Sequence, residues 1–309
     1  MRVFARVVDA GGFAKAASAL DIAPAVATRL IADLEEHLGA RLLNRTTRRL
    51  ALTEVGETYL DRVRAILSEV DDAEAVASLA TAEPRGRVSV LVPPGFSVHQ
   101  LAKHLPRFRA RHPRVWLELT VQGQVEAPDE NHDVTIITRR GQPIDGNFIA
   151  RRIATAEIVL CATPDYLDRH GRPEHPQDLA LHDTLIPIAP SARRELLFEP
   201  ARGSGPAVTV LCTRTPPLAT LHVDTLYAAA LGGLGIAGLP SFVAEDALAE
   251  VALERILPQW HLQTLTIYAA MPTRKHVPQR TRAFVDFLVE TFATEHPDPW
   301  LEAAGCESC

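Results

Sequence analysis

The chain has 309 residues, 47% hydrophobic and 23% charged, a globular balance that excludes a wholly disordered or fibrous protein and suggests two or three domains. It holds no run of 18 apolar residues to cross a membrane, Met1–Asp9 carries too many charges for a signal peptide, and four cysteines make no disulfide framework, so a reducing, cytoplasmic setting is expected. The net charge of −6 argues against a uniformly basic nucleic-acid binder, but residues 1–64 hold ten basic against eight acidic side chains, which is +2 and leaves −8 to the other 245 residues.

Phe4, Val7 and Val8 mark a first short helix, which Gly11-Gly12 ends. Phe13, Ala16, Ala17 and Leu20 mark a second. Asp21-Ile22-Ala23 is a tight connection, and Pro24 suits the first position of a third helix. Ala27, Ile31, Leu34 and Leu38 form the buried stripe of that helix, and Gly39 stops it. Its other face shows Ala25, Val26, Thr28, Arg29, Ala32 and Asp33, and small residues at the exposed start let a helix backbone approach base edges in a major groove.

Residues 41–52 read as a hairpin with Leu42, Leu50 and Leu52 inward and Arg45, Arg48 and Arg49 around a Thr46-Thr47 turn. Residues 41–49 hold four arginines and no acid, a wing suited to phosphates or the minor groove; a solvated charge cluster is the alternative. Thr53 then caps a long helix with Glu54 and Glu57 in its first turn. Tyr59, Val63, Ile66, Val70, Ala73, Ala77 and Ala80 follow at spacings of four and three, a heptad seam that Pro84 and Gly86 terminate. Such a seam pairs two chains or packs on its own domain. Its narrowing to alanine and the charged remaining faces favour a dimer, which would carry two heads onto a two-fold operator.

From Arg87 onward, short apolar runs alternate with helices. Strands are expected at Val88–Val92, Val115–Val121, Val134–Ile137, Ile158–Ala162, Leu185–Ile188, Val208–Thr213, Ile236–Leu239 and Leu265–Ala270. Helices are expected at Ser97–His112, Pro164–His170, Leu226–Leu231 and around Phe284–Phe292. This α/β alternation predicts parallel sheets covered on both faces, and its length suggests two lobes with a cleft.

The segments Gly12–Leu20, Pro24–Glu35, Leu38-Gly39, Arg41–Arg48 and Leu52-Thr53 with Gly56 together resemble the LysR-type DNA-binding domain. Val159–Leu167, Gly233–Pro240 and Arg282–Leu288 are similar to that family's effector domain. The resemblance implies a winged helix-turn-helix, a linker coiled coil, and a two-lobed fold like periplasmic solute-binding proteins. It also implies a homodimer or homotetramer that answers to a small metabolite. By position, Thr28 and Arg29 sit where the family's third helix meets phosphate and base edges, and Arg45, Arg48 and Arg49 match the wing. Three departures stand out: Ala23 replaces a capping serine or threonine, Leu30 replaces a polar residue, and the chain starts several residues late.

The expected domains are 1–53 for the DNA-binding head, 54–83 for the linker helix and 87–309 for the effector domain. Lobe I covers about 87–160 and 266–295, and lobe II about 161–265. Ligands collect at the carboxyl ends of strands, which nominates Pro94 and Ser97, Thr138 and Arg139, Thr213 and Asp224. Ser97 at a helix start and Arg139 would suit an organic acid or aromatic metabolite, although Arg139 reads equally as a solvated surface residue. Pro128 falls where the lobe's second helix would lie. Gly233-x-Gly235-x-x-Gly238 follows a helix and runs into a strand, the reverse of a dinucleotide fingerprint, so its glycines end the helix. Cys306 and Cys309 lie in an expected disordered tail, and Cys161 and Cys212 in the core. No metal or cofactor is expected, no catalytic dyad supports an enzyme, and a solute-binding protein would need an export signal.

Overall fold

Two units share the chain, Met1–Ala82 and Glu83–Cys309. The computed structural model describes residues 1–46, 49–77, 83–123, 125–141, 146, 148–186, 195–200, 205–272, 277–292, 296 and 298–306.

The first unit opens with α1 (Arg2–Asp9), α2 (Phe13–Ala19) and α3 (Pro24–Leu38). Pro24 stands in the first turn of α3 and Gly39 closes it in the left-handed region at φ 63°. The Ala23 cap position makes no side-chain bond to the helix, as its sequence requires. β1 (Leu43–Thr46) and β2 (Arg49–Leu52) pair antiparallel, with Leu43 opposite Leu52. α4 (Glu54–Ala77) follows, and the Thr53 hydroxyl accepts from Gly56 N at 2.9 Å while donating to Arg41 O at 2.7 Å. Phe4, Val7, Ala16, Ile31, Leu42 and Val63 fill the core between these elements.

The α4 seam divides. Val63 is fully buried and the Tyr59 ring lies 5.8 Å from Phe4, so the first seam positions pack on the head itself. Ile66 and Val70 further along are 46% and 39% exposed. Ala73 and Ala77 lie in α4, but their side chains, like Ala80, are outside the described residues.

The second unit starts with β3 (Gly86–Val92), buried from Val88 onward. One helical stretch follows, made of α5 (Pro94–Phe96), a π turn (Ser97–Leu101) and α6 (Ala102–Arg111). Then come β4 (Val115–Val121), β5 (Val134–Arg140) and the 14-residue β6 (Ile149–Ala162). The β4–β5 connection that holds Pro128 carries no helix among its described residues. Beyond lie α7 (Pro164–His170), a 3-10 turn (Pro176–Leu181), β7 (Thr184–Leu185), β8 (Glu195–Pro200) and β9 (Val208–Leu211). α8 (Val223–Leu231), β10 (Ile236–Pro240), α9 (Ser241–Ala249), β11 (Glu254–Ile256), β12 (Trp260–His261), β13 (Thr264–Met271), α10 (Gln279–Phe292) and α11 (Pro299–Ala303) complete it.

The main sheet runs β4-β3-β5-β13-β6-β10-β7, with β11 also on β6. It is mixed, which corrects the expectation of parallel sheets: β3 is parallel to β4 and β5, but β13 is antiparallel to both β5 and β6. β6 joins the lobes. Residues 149–157 pair with β13 in lobe I, and 158–162 pair with β10 and β11 in lobe II, so the crossover falls at Glu157-Ile158. The expected strands are found with altered bounds: β6 begins at Ile149 instead of Ile158, β5 runs on to Arg140, and β9 stops at Leu211. Leu185–Ile188 is Thr184–Leu185 before residues outside the description, while β8, β11 and β12 were not expected.

Residues 298–306 are folded, which corrects the expected tail at Cys306, whose N donates to Leu301 O at 2.9 Å. Asp298 caps α11 by accepting from Trp300 N and Leu301 N, and its other oxygen accepts from Glu157 N at 2.7 Å. Trp300 joins the lobe I core and Leu301 the lobe II core, so α11 fastens both lobes at the crossover. Cys309 lies outside the described residues. Cys161 and Cys212 are buried as expected, and burial pushes the Cys161 thiol up to about 12.

Candidate functional site

The head is built around α3. Ala27 and Ile31 point into its core, while Ala25, Val26, Thr28, Arg29 and Leu30 are exposed together. The Arg29 side chain is 84% exposed, and its Nε lies 3.9 Å from Asp33 Oδ2, a loose pair that leaves the guanidinium free to reach outward. Thr28 Oγ1 donates to Pro24 O at 3.1 Å, so its proton is committed within the helix. Leu30, which departs from a polar pattern, stands on the same open surface at 43% exposure.

Glu35, on the inner side of α3, holds the wing in place. Its Oε1 accepts from Leu42 N and Leu43 N at 2.7 and 3.0 Å, where β1 begins. Gly56 makes the wing's closure on α4 possible, because a Cβ there would lie 2.0 Å from Leu42 O. Arg45 and Arg49 occupy β1 and β2, with side chains outside the described residues, and Arg48 lies outside them altogether.

In the second unit the sequence candidates separate. The helix after β3 starts at Pro94, with Pro93 extended before it, three residues earlier than expected. Ser97 is therefore not at a helix start but one turn inside, buried at the head of the π turn. Thr138 and Arg139 are not in a loop after the strand: β5 continues through both, opposite Ile267 and Thr266 of β13. Thr213 stands apart on the exposed loop after β9, beside Arg214, whose Nη1 donates to Leu181 O.

Asp224 does meet the helix of Pro94 and Ser97, though it is already engaged. Its Oδ1 lies 2.9 Å from His99 Nε2, and its Oδ2 lies 3.7 Å from His222 Nε2. A Cβ on Gly95 would lie 3.7 Å from Asp224 Oδ1 and 3.2 Å from Val243 Cγ2, so the lobes touch closely there. Gln100 Nε2 adds bonds to Phe242 O and Glu245 Oε2, both 2.7 Å, and Lys103 Nζ reaches Asp246 at 2.6 Å. His99, Gln100 and Lys103 escaped the sequence reading. Their signal was a polar i, i+1, i+4 set on a helix that otherwise buries Phe96, Leu101 and Phe108.

A second polar group sits at the crossover. Glu157 Oε2 pairs with Arg255 at 3.0 Å and lies 3.6 Å from His261 Nδ1, with Asp298 on its backbone. Burial pushes both the Glu157 and Asp298 carboxyls above the ordinary carboxylate range. The glycine run also finds its place: α8 ends at Leu231, β10 begins at Ile236, and a Cβ on Gly235 would strike Asp183 O at 2.4 Å. Gly233 and Gly235 serve the helix-to-strand turn, and Gly238 lies within β10 opposite Leu160. No helix among the described residues is long and apolar enough to cross a membrane.

Comparison with known proteins accounts for both units. The family described as "Bacterial regulatory helix-turn-helix protein, lysR family" matches residues 1–57, and the "LysR substrate binding domain" matches 81–293. An HTH-type transcriptional repressor of Pseudomonas aeruginosa is 33% identical over 96% of this chain and 92% of its own. The regulator CrgA of Neisseria meningitidis is 32% identical over 94% and 95% of the two chains. The solved structure of CrgA superposes with a TM-score of 0.59 at 31% identity, covering 94% of this chain and 97% of that one. The full-length Vibrio cholerae virulence activator AphB gives 0.58 at 25% identity, covering 94% and 98%. With an exposed third helix, a wing and a two-lobed α/β body in matching order, the chain belongs to the LysR family of DNA-binding transcription regulators, which carry an effector-binding domain and are not enzymes.

Proposed function

We propose that α3 reads an operator in the major groove through Ala25, Val26, Thr28 and Arg29, while Arg45, Arg48 and Arg49 of the wing hold flanking phosphates. One observation carries this: from Ala25 to Leu30 the exposed side of α3 presents only small or apolar side chains around a single, 84% exposed arginine. α4 pairs two chains as a homodimer, or as the dimer unit of a tetramer, through its exposed Ile66 and Val70. The protein works in the cytoplasm on chromosomal DNA.

A small organic acid or aromatic metabolite entering between the lobes, near Pro94, Ser97 and Asp224, alters DNA binding or bending. An anionic ligand suits this place because it would compete with the Asp224 carboxylate for His99 and His222. Thr138 and Arg139 within β5 and Thr213 on the loop after β9 lie apart from this group and are left out of the proposed site.

The test of the α3 reading is Arg29→Ala in the full chain, assayed on a site selected from random duplexes and on unselected DNA. A bidentate guanine contact is worth about 1–3 kcal/mol, so the selected site should lose roughly 5- to 150-fold while unselected DNA loses far less. Equal losses on both would reduce Arg29 to a phosphate contact.

A further inference from the structure

We propose that Val26 and Leu30 make α3 a reader of thymine C5-methyl groups, so that each half-site carries two thymines set against them. The inference rests on α3 facing the groove. Val26 and Leu30 stand one helical turn apart and are 45% and 43% exposed, while Ala27 and Ile31, one residue on in each turn, are buried.

A single exposed leucine needs no explanation. This pair does, because of what else the face offers. Of the five exposed side chains from Ala25 to Leu30, Ala25 has no polar group and Thr28 donates its proton to Pro24 O. Arg29 is then the one member of that set with donors to direct at bases, and one arginine specifies about one base pair. Val26 and Leu30 can neither donate nor accept, so they cannot read the polar edges of guanine, adenine or cytosine. The apolar group that a major groove displays is the thymine methyl. Their placement beside Arg29 puts them against the base pairs that flank its contact.

The experiment uses full-length protein and duplexes selected from a random pool. Each thymine of the selected site is replaced in turn by deoxyuridine, which lacks the C5-methyl and changes nothing else on that edge. Burying one methyl-sized apolar group is worth about four-fold in affinity. The expected result is a loss of about four-fold at two positions per half-site and little elsewhere. Leu30→Gln should erase the sensitivity at one position and Val26→Ala at the other.

Deoxyuridine that is neutral throughout a still-preferred site would overturn the methyl reading and leave the groove-facing role of α3 standing. Selected sites without an invariant thymine would overturn it equally. A protein that prefers no sequence at all would remove both readings. A change in sedimentation mass with Leu30→Gln, without any change in deoxyuridine sensitivity, would assign the patch to a protein contact and sink the proposal.

Discussion

Replacing Trp300 with alanine should weaken the second unit more than most single changes near a chain end. The indole is 2% exposed, with its ring 5.5 Å from Phe242, 5.7 Å from Phe292 and 6.5 Å from Phe96. Phe96 and Phe292 belong to lobe I elements, whereas Phe242 belongs to α9 beside the lobe II core, so the cavity would open where the lobes are joined. Core Trp→Ala changes cost about 3–5 kcal/mol. α11 is short and can settle partly into the gap, which puts the expectation near the lower end, about 3 kcal/mol. For a unit of this size that corresponds to a fall of roughly 6–12 °C in Tm. Calorimetry of the full chain would read it, with Trp116→Ala, 52% exposed, as the control that should shift little. Emission offers a second reading, since the blue-shifted component should vanish with Trp300. A loss below about 1 kcal/mol would mean that α11 lies on the unit without fastening it.

Gly56→Ala should destabilise the head by about 3 kcal/mol or more, because its Cβ would meet the Leu42 carbonyl oxygen at 2.0 Å. Urea unfolding should show an early head transition, and an unchanged midpoint would refute the close approach. A fragment ending at Gly86 should sediment as a dimer, and Ile66→Asp with Val70→Asp should make it a monomer with its helix content kept. If the fragment is monomeric before substitution, α4 does not pair chains. The buried carboxyls of Glu157 and Asp298 set a sign for pH. Because burial raises their folded values, the native state binds protons more tightly than the unfolded chain. That contribution is full below the ordinary carboxylate range and is lost as pH rises from about 4 through the raised values. Glu157→Gln should flatten this decline in denaturation series from acid to neutral pH, and a slope identical to that of the parent would count against the assignment.

The head was legible because each of its elements declares itself locally. Pro24, Gly39 and the Ala27–Ile31 stripe fix α3 without help from distant residues, and Thr53 caps α4 as its position suggested. Most strands of the body were legible from their β-branched density, but β8, β11, β12 and the first half of β6 were not, and neither were the strand directions. Nothing in Leu265–Ala270 says that it runs against its neighbours, since a buried antiparallel strand and a buried parallel one share one composition. The effector candidates suffered for a related reason. Ser97 was placed at a helix start, yet Pro94 is itself accommodated in a first turn, which moves Ser97 inward. Asp224 was marked as an effector candidate, while its engagement by His99, 125 residues away, depends on a lobe contact that no local pattern encodes. α11 hid behind a polar end sequence: its two anchoring residues, Trp300 and Leu301, are too few to form a period.

The α4 stripe shows a subtler limit. A run spaced four-three-four-three says that one side of a helix is apolar, but it names no partner, and here the head core takes only the first part of the stripe. Tyr59 and Val63 close the head's own core, and only from Ile66 does the same stripe become exposed. Self-packing therefore accounts for the first part of the seam and leaves the second to the proposed pairing, so the two readings need not exclude each other. This has a mechanical consequence. The residues that fix α4 to the head lie one turn before those left free to pair, on the same side, so pairing through Ile66 and Val70 would set the angle at which each α3 is offered to DNA. A coiled coil attached through a flexible joint would leave half-site spacing loose, whereas a helix rooted in the head core by Val63 makes that spacing a property of the fold.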